Sequence, residues 1–145
     1  MKKFWTMIAA TLLMGSAWAD ILTAADVEKV SGLTGVHTVP KNQATGAGGE
    51  LNFAGADNKL VLMVMVQPQS TFDFWKKQYG AKGDPVAKLG SEAFRSKAGE
   101  FISYVVFLKG GTGVWVQSMG WKKGGGANFT AQQLEELARL AEPRV

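Results

Sequence analysis

Leu60-Val61-Leu62-Met63-Val64-Met65-Val66 is an unbroken apolar run, rich in Val and Met, with Asn58 before it and Pro68 behind it. A run this short, bounded by turn residues, reads as the central strand of a sheet covered on both faces. Such a sheet needs helices, or a second sheet, over each face. The run therefore sets the layer arrangement, and the rest of the chain is read by what it adds to that strand.

Upstream, Ala54-Gly55-Ala56-Asp57-Asn58 is turn chemistry. Glu50 to Ala54 alternates with Leu51 and Phe53 on one side, the pattern of a half-buried strand. Lys41 to Gly49 is a polar glycine loop, and Val36 to Val39 is a short strand closed by Pro40. Before these, Thr23 and Asp26 have the spacing of a capping box, Val27 and Val30 share a face, and Gly32 stands where a left-handed C-terminus belongs. The expected helix, Ala24 to Ser31, is too short to be stable without packing.

Downstream, a helix is expected from Ser70 or Thr71. Phe72, Trp75 and Tyr79 lie on one face of it, and Gly80 ends it. Ala81 to Gly90 reads as a linker and Ser91 to Lys97 as a short strand. Glu100 to Lys109, the turn Gly110-Gly111-Thr112-Gly113, and Val114 to Trp121 make the clearest hairpin signal in the chain. After a glycine-rich connection, Lys122 to Asn128, a last helix opens on Thr130 and Gln133 as a capping box. Phe129 is placed to staple onto Leu134; Leu134, Leu137, Ala138 and Ala141 form the buried stripe, and Pro143 stops the helix. Hairpins joined by short turns imply an α+β fold: a largely antiparallel sheet of about five to six strands with two to three helices packed on it.

The first residues read as an address. Met1-Lys2-Lys3 is a basic start, Phe4 to Met14 carries no charge, and Ala17-Trp18-Ala19 supplies the small-x-small pattern of signal-peptide cleavage before Asp20. The apolar run falls short of the about 20 residues a membrane span needs. The expectation is a cleaved leader over 1–19, one domain over 20–145, no transmembrane segment after cleavage, and a periplasmic protein. The chain has no cysteine, which excludes disulfides, thiolate metal sites, cysteine nucleophiles and a lipidated cysteine anchor. The formal charge of +4 falls to +2 once Lys2 and Lys3 leave with the leader. That balance, together with export, argues against nucleic-acid binding. Lys76-Lys77 and Lys122-Lys123 read as solvated faces.

Candidate chemistry is sparse. Gly46-Ala47-Gly48-Gly49 precedes a strand instead of a helix and lacks the lysine and hydroxyl of a phosphate loop, so it reads as a plain loop. His37 is the only histidine, neither a triad nor a ligand set by itself, and is expected to be structural. Ser91 lacks the flanking glycines of a nucleophile elbow. Asp26, Glu28, Glu50, Asp57, Asp73, Asp84, Glu92 and Glu100 offer carboxylates that a glycosidase would need, but no pattern pairs two of them. No catalytic residue, metal site or cofactor is assigned. The aromatics are the stronger signal. Trp115, Gln117, Met119 and Trp121 alternate onto one side of the last strand, opposite Val114, Val116 and Ser118. Trp115, Gln117 and Trp121 are the candidate ligand or partner face, with Gly124-Gly125-Gly126 at its rim. The competing reading packs that face under a helix.

Leu22-Thr23-Ala24-Ala25-Asp26-Val27 followed by Gly32, with Pro85-Val86-Ala87-Lys88-Leu89-Gly90-Ser91-Glu92-Ala93-Phe94 and the terminal helix Leu134 to Ala141, resembles small secreted or lipoprotein domains of unknown function. Those domains are similar in fold to PsbP-type extrinsic proteins, an antiparallel sheet sandwiched by helices, although this chain lacks the cysteines common among them. The resemblance implies an extracytoplasmic accessory role and brings no catalytic residues with it. The expected function is a non-catalytic periplasmic binding or accessory module for a small ligand or an envelope protein. Two alternatives stand beside it: a small hydrolytic enzyme using carboxylates, and an envelope protein docking on lipid or peptidoglycan.

Overall fold

The apolar run forms β3 (Leu60–Pro68), and alternation divides its side chains between two layers. In the computed structural model, which describes residues 20–39 and 49–145, Leu62, Val64 and Val66 are buried on one side of the sheet. Met63 and Met65 are half-buried on the other. The expected leader, residues 1–19, with Ala17 and Ala19 of its cleavage pattern, and the loop from Lys41 to Gly48 lie outside the described residues.

The other strands are β1 (His37–Val39), β2 (Gly49–Ala54), β4 (Asp84–Pro85), β5 (Glu92–Arg95), β6 (Tyr104–Lys109) and β7 (Thr112–Ser118). They join β3 in one antiparallel sheet of seven strands, in the order β1-β2-β3-β7-β6-β5-β4. The α+β class and antiparallel pairing are as expected, with two differences. The sheet has seven strands because the Ala81–Gly90 linker contributes β4, two residues paired with Arg95 and Phe94 of β5. Pro85 is tolerated there because an edge strand has a side that needs no ladder N–H. The centre of the sheet is β7, with β3 beside it, because the β6–β7 hairpin returns across the molecule onto β3.

Three α-helices lie among the described residues: α1 (Ala24–Ser31), α2 (Gln69–Tyr79) and α3 (Ala131–Ala141). Helices α1 and α3 lie on the Leu62 side. Val27, Leu134, Leu137, Ala138 and Ala141 close over Phe53, Val64, Phe107, Val114 and Val116 in the larger core. Helix α2 lies on the other face, where Phe72 and Trp75 meet Phe94, Tyr104, Val106 and Trp115 in a second core. Both capping boxes form. Thr23 Oγ1 accepts from the Asp26 amide at 3.1 Å, and Asp26 Oδ2 accepts from the Thr23 amide at 2.9 Å. Thr130 and Gln133 repeat the exchange at 3.1 and 2.9 Å. Gln133 Nε2 also donates to the Val30 carbonyl, so the cap of α3 reaches across to α1.

Helix α2 begins at Gln69, just before the expected start at Ser70 or Thr71. Pro68 ends β3 and occupies the N-cap position with no side-chain cap, so the strand passes into the helix without a loop. The hairpin is tighter than expected. Gly110 and Gly111, at φ 55° and 77°, form the whole two-residue turn between paired Lys109 and Thr112. Positive φ at both central positions matches the turn to the strands' twist, and glycine adopts it without strain. The strand expected from Glu100 starts only at Tyr104. Its partner β5 ends at Arg95, and Ser96 closes the ladder, its Oγ accepting from the Tyr104 amide at 3.0 Å. Residues 97–103 are therefore a loop.

Candidate functional site

The second core is open at one end. Across that face the register sets Met65, Trp115, Val106 and Phe94 in one row and Met63, Gln117 and Tyr104 in the next. Helix α2 covers the first row. Trp115 lies under it at 6% exposure, with ring centroids 5.3 Å from Trp75, 5.3 Å from Tyr79 and 4.6 Å from Tyr104, the last pair stacked. Helix α2 stops at Tyr79 and leaves the second row partly uncovered. The result is a cleft of about 350 Å³ lined by Tyr79, Lys82, Glu100, Phe101, Ile102, Tyr104, Trp115 and Gln117.

Gln117 links this cleft to a smaller depression of about 180 Å³, which shares Phe101, Ile102 and Gln117 and adds Met119, Gly120, Trp121 and Ala127. The Trp115 indole donates to Gln117 Oε1 at 2.9 Å, and Gln117 Nε2 donates to Met119 Sδ at 3.4 Å. One amide thus holds the floor of both hollows. Burial pushes the Tyr104 phenol above its ordinary range, and the Glu100 carboxylate and Tyr79 push the same way, so its hydroxyl remains protonated through neutral pH. The cleft therefore offers stackable rings, phenol hydroxyls, one amide, one carboxylate and one ammonium.

The residues proposed from sequence have separate places here. Trp115 belongs to the core beneath α2, Gln117 lies between the two hollows, and Trp121 is 53% exposed at the outer rim. Trp121 is not on the strand, which ends at Ser118. It follows Gly120 and forms an isolated bridge with Ala127. Its ring instead meets Phe101 edge-on, at a centroid distance of 4.8 Å. Gly124, Gly125 and Gly126 lie in the turn beyond it and line neither hollow. Sequence reading missed Phe101 and Ile102, which strand propensity placed in β6. Ala98 and Gly99 turn the chain just before the supposed strand, and no local signal sets Phe101 and Ile102 apart from it.

Elsewhere the candidates have ordinary partners. His37 is exposed, its Nδ1 3.1 Å from the Gly35 carbonyl. Ser91 Oγ donates to the Leu108 carbonyl. Lys76 pairs with Glu92 at 2.7 Å; together with Lys77, Asp73 and Phe94 they line a different, more open hollow beside α2. Glu135 joins Arg95 and Arg139, both at 3.0 Å, and Asp26 joins Arg144 at 2.6 Å. Among the described residues, no group of three His, Asp or Glu side chains is arranged to hold a metal ion, and no helix is long and apolar enough to cross a membrane. No family model, curated protein or solved structure matches this chain.

Proposed function

We propose that this protein is an exported, non-catalytic binding or accessory module of the periplasm, with the cleft between Tyr79 and Phe101 as its binding site. The supporting observation is where its exposed apolar side chains lie. Tyr79, Phe101, Ile102 and Trp121 line the two hollows, and among the described residues only Leu60, whose carbonyl borders Gly120 beside them, and Phe74 are large exposed apolar residues outside that lining. Scattered exposed apolar residues are normal, but a gathered patch beside a preformed aromatic cleft marks an interaction site. Export rests on the Lys2-Lys3 start, the uncharged run and the Ala17-Trp18-Ala19 pattern. The PsbP-type reading rests on the two motifs quoted above, which fall on α1 and on the β4–β5 segment, within an arrangement of helices on both faces of an antiparallel sheet.

Native mass spectrometry of protein recovered from an exporting host tests both parts. The expected result is a chain starting at Asp20 that carries a non-covalent ligand or partner, whose retention falls tenfold or more in Gln117→Ala, which lines both hollows, or in Trp121→Ala at the rim. An uncleaved chain overturns the export reading. A bound species indifferent to Trp121→Ala and Gln117→Ala overturns the site.

A further inference from the structure

Two loops, residues 97–103 and 119–127, meet at the rim of the cleft and present one tip. Phe101, 76% exposed, touches Trp121, and Ile102 stands beside Phe101 in the chain. Leu60 borders them, since its carbonyl lies 3.0 Å from where a side chain on Gly120 would begin. The charge of the same loops is one-sided. Lys97, Lys122 and Lys123 lie in them and Lys82 lines the adjoining cleft, while Glu100 is their only carboxylate. Among the described residues none of these four lysines enters an ion pair.

We propose that this tip docks on an anionic lipid surface, with Phe101, Ile102 and Trp121 entering the headgroup layer and the lysines meeting lipid phosphates. The inference rests on reading this end of the molecule as its binding end, and it names the occupant. Trp and other rings with apolar bodies favour the membrane interface, and Lys stems lie along apolar surface while the ammonium stays at the phosphate level. Desolvating the loop backbone is also made easier. The Lys122 amide donates to the Gly126 carbonyl at 2.8 Å, the Gly125 amide to the Lys122 carbonyl at 2.9 Å, and the Glu100 amide to the Lys97 carbonyl at 3.2 Å. These groups are satisfied internally, so less hydrogen bonding to water is lost on insertion. Lys97, Lys122 and Lys123 in the two loops, against the single carboxylate of Glu100, give this end the charge complement of phosphatidylglycerol-type headgroups.

The test uses protein purified after export, its N-terminus read by mass, with vesicles of three parts phosphatidylethanolamine to one of phosphatidylglycerol. Cosedimentation is expected at low salt, with at least tenfold weaker binding at about 1 M salt, where the Debye length is about 3 Å. Binding to pure phosphatidylcholine vesicles should be weak. Lys122→Ser and Lys123→Ser should each lower affinity about fivefold, and Phe101→Ser with Trp121→Ser should abolish it. All four positions are exposed, so melting temperatures should not move and a loss is not a loss of fold. Failure to bind the anionic vesicles, or equal binding by the Phe101→Ser/Trp121→Ser variant, overturns the inference. A photo-crosslinker at Phe101 that captures a protein in cells, with no vesicle binding, also overturns the lipid surface but leaves the binding-module reading standing. Vesicle binding absent and the native mass spectrum unaffected by Trp121→Ala would remove both.

Discussion

Trp115 and Trp121 show how one residue type acquires two roles within a few positions. Trp115 is on a strand under a helix, its indole N–H satisfied by Gln117 and its ring in contact with Trp75, Tyr79 and Tyr104. Removing it opens a cavity no neighbour can fill, and it strands the Gln117 carbonyl oxygen. Trp115→Ala is therefore expected to cost about 3–5 kcal/mol in urea denaturation. Trp121→Ala removes a ring that meets Phe101 but is otherwise in solvent, and its cost should stay within about 0.5 kcal/mol. Comparable losses from both changes would show Trp121 to be a core residue. The alternation of Trp115, Gln117 and Met119 was legible in the sequence because a strand has a strict period. The separation of Trp121 from that strand was not, because the turn at Gly120 sits against the Leu60 carbonyl and the Asn128 amide, which holds the Met119 carbonyl.

At the scale of elements, the contact of α2 with β7 is controlled by a missing side chain. A methyl on Gly113 would begin 2.9 Å from Phe72 Cβ and 3.3 Å from the Trp75 ring, closer than packed carbons approach. Gly113 is a buried strand residue, not the turn residue its neighbours suggested, and its smallness lets the helix rest on the sheet. Gly113→Ala should lower stability by about 1–3 kcal/mol through overpacking, with an altered near-ultraviolet dichroism from Trp75 and Trp115. An unchanged spectrum and melting temperature would mean that α2 does not seat at this spacing. The helices themselves were readable from local signals, since both capping boxes and the α3 stripe depend on residues within a turn or two of one another. The start of α2 was not, because a proline with no side-chain donor or acceptor gives no capping signature.

Over the whole molecule, Arg144 at the last turn closes onto Asp26 in the first helix at 2.6 Å and donates to the Ile21 carbonyl at 3.3 Å. Hydrogen bonding from Arg144 outweighs burial and holds the Asp26 carboxyl below its ordinary range. A carboxyl that is more acidic when folded contributes stability above its unfolded pKa, about 3.9, and that contribution is lost as pH falls through the depressed folded value. Asp26→Asn should thus cost about 1 kcal/mol at neutral pH, a modest figure because Arg144 is more than a third exposed to screening solvent. The gap between parent and variant should close as the pH is taken below about 4. A gap that persists in strong acid would assign the effect to packing instead of charge.

The sequence by itself determined the elements that depend on near neighbours: the capped helices, the apolar run of β3, the hairpin glycines and the antiparallel α+β class. These follow from periodicity and turn chemistry, which act over a few residues. Only the tertiary structure decided which strand is central, that Pro85 joins the sheet, and that α2 covers Trp115 while Phe101, Ile102 and Trp121 remain at its open end. Those outcomes depend on which distant surfaces exclude water from one another. Propensity alone gave Phe101 the same strand environment as Phe107, and what separates them is that β5 ends at Arg95 and β7 at Ser118, leaving the chain before Ser103 with no ladder to join.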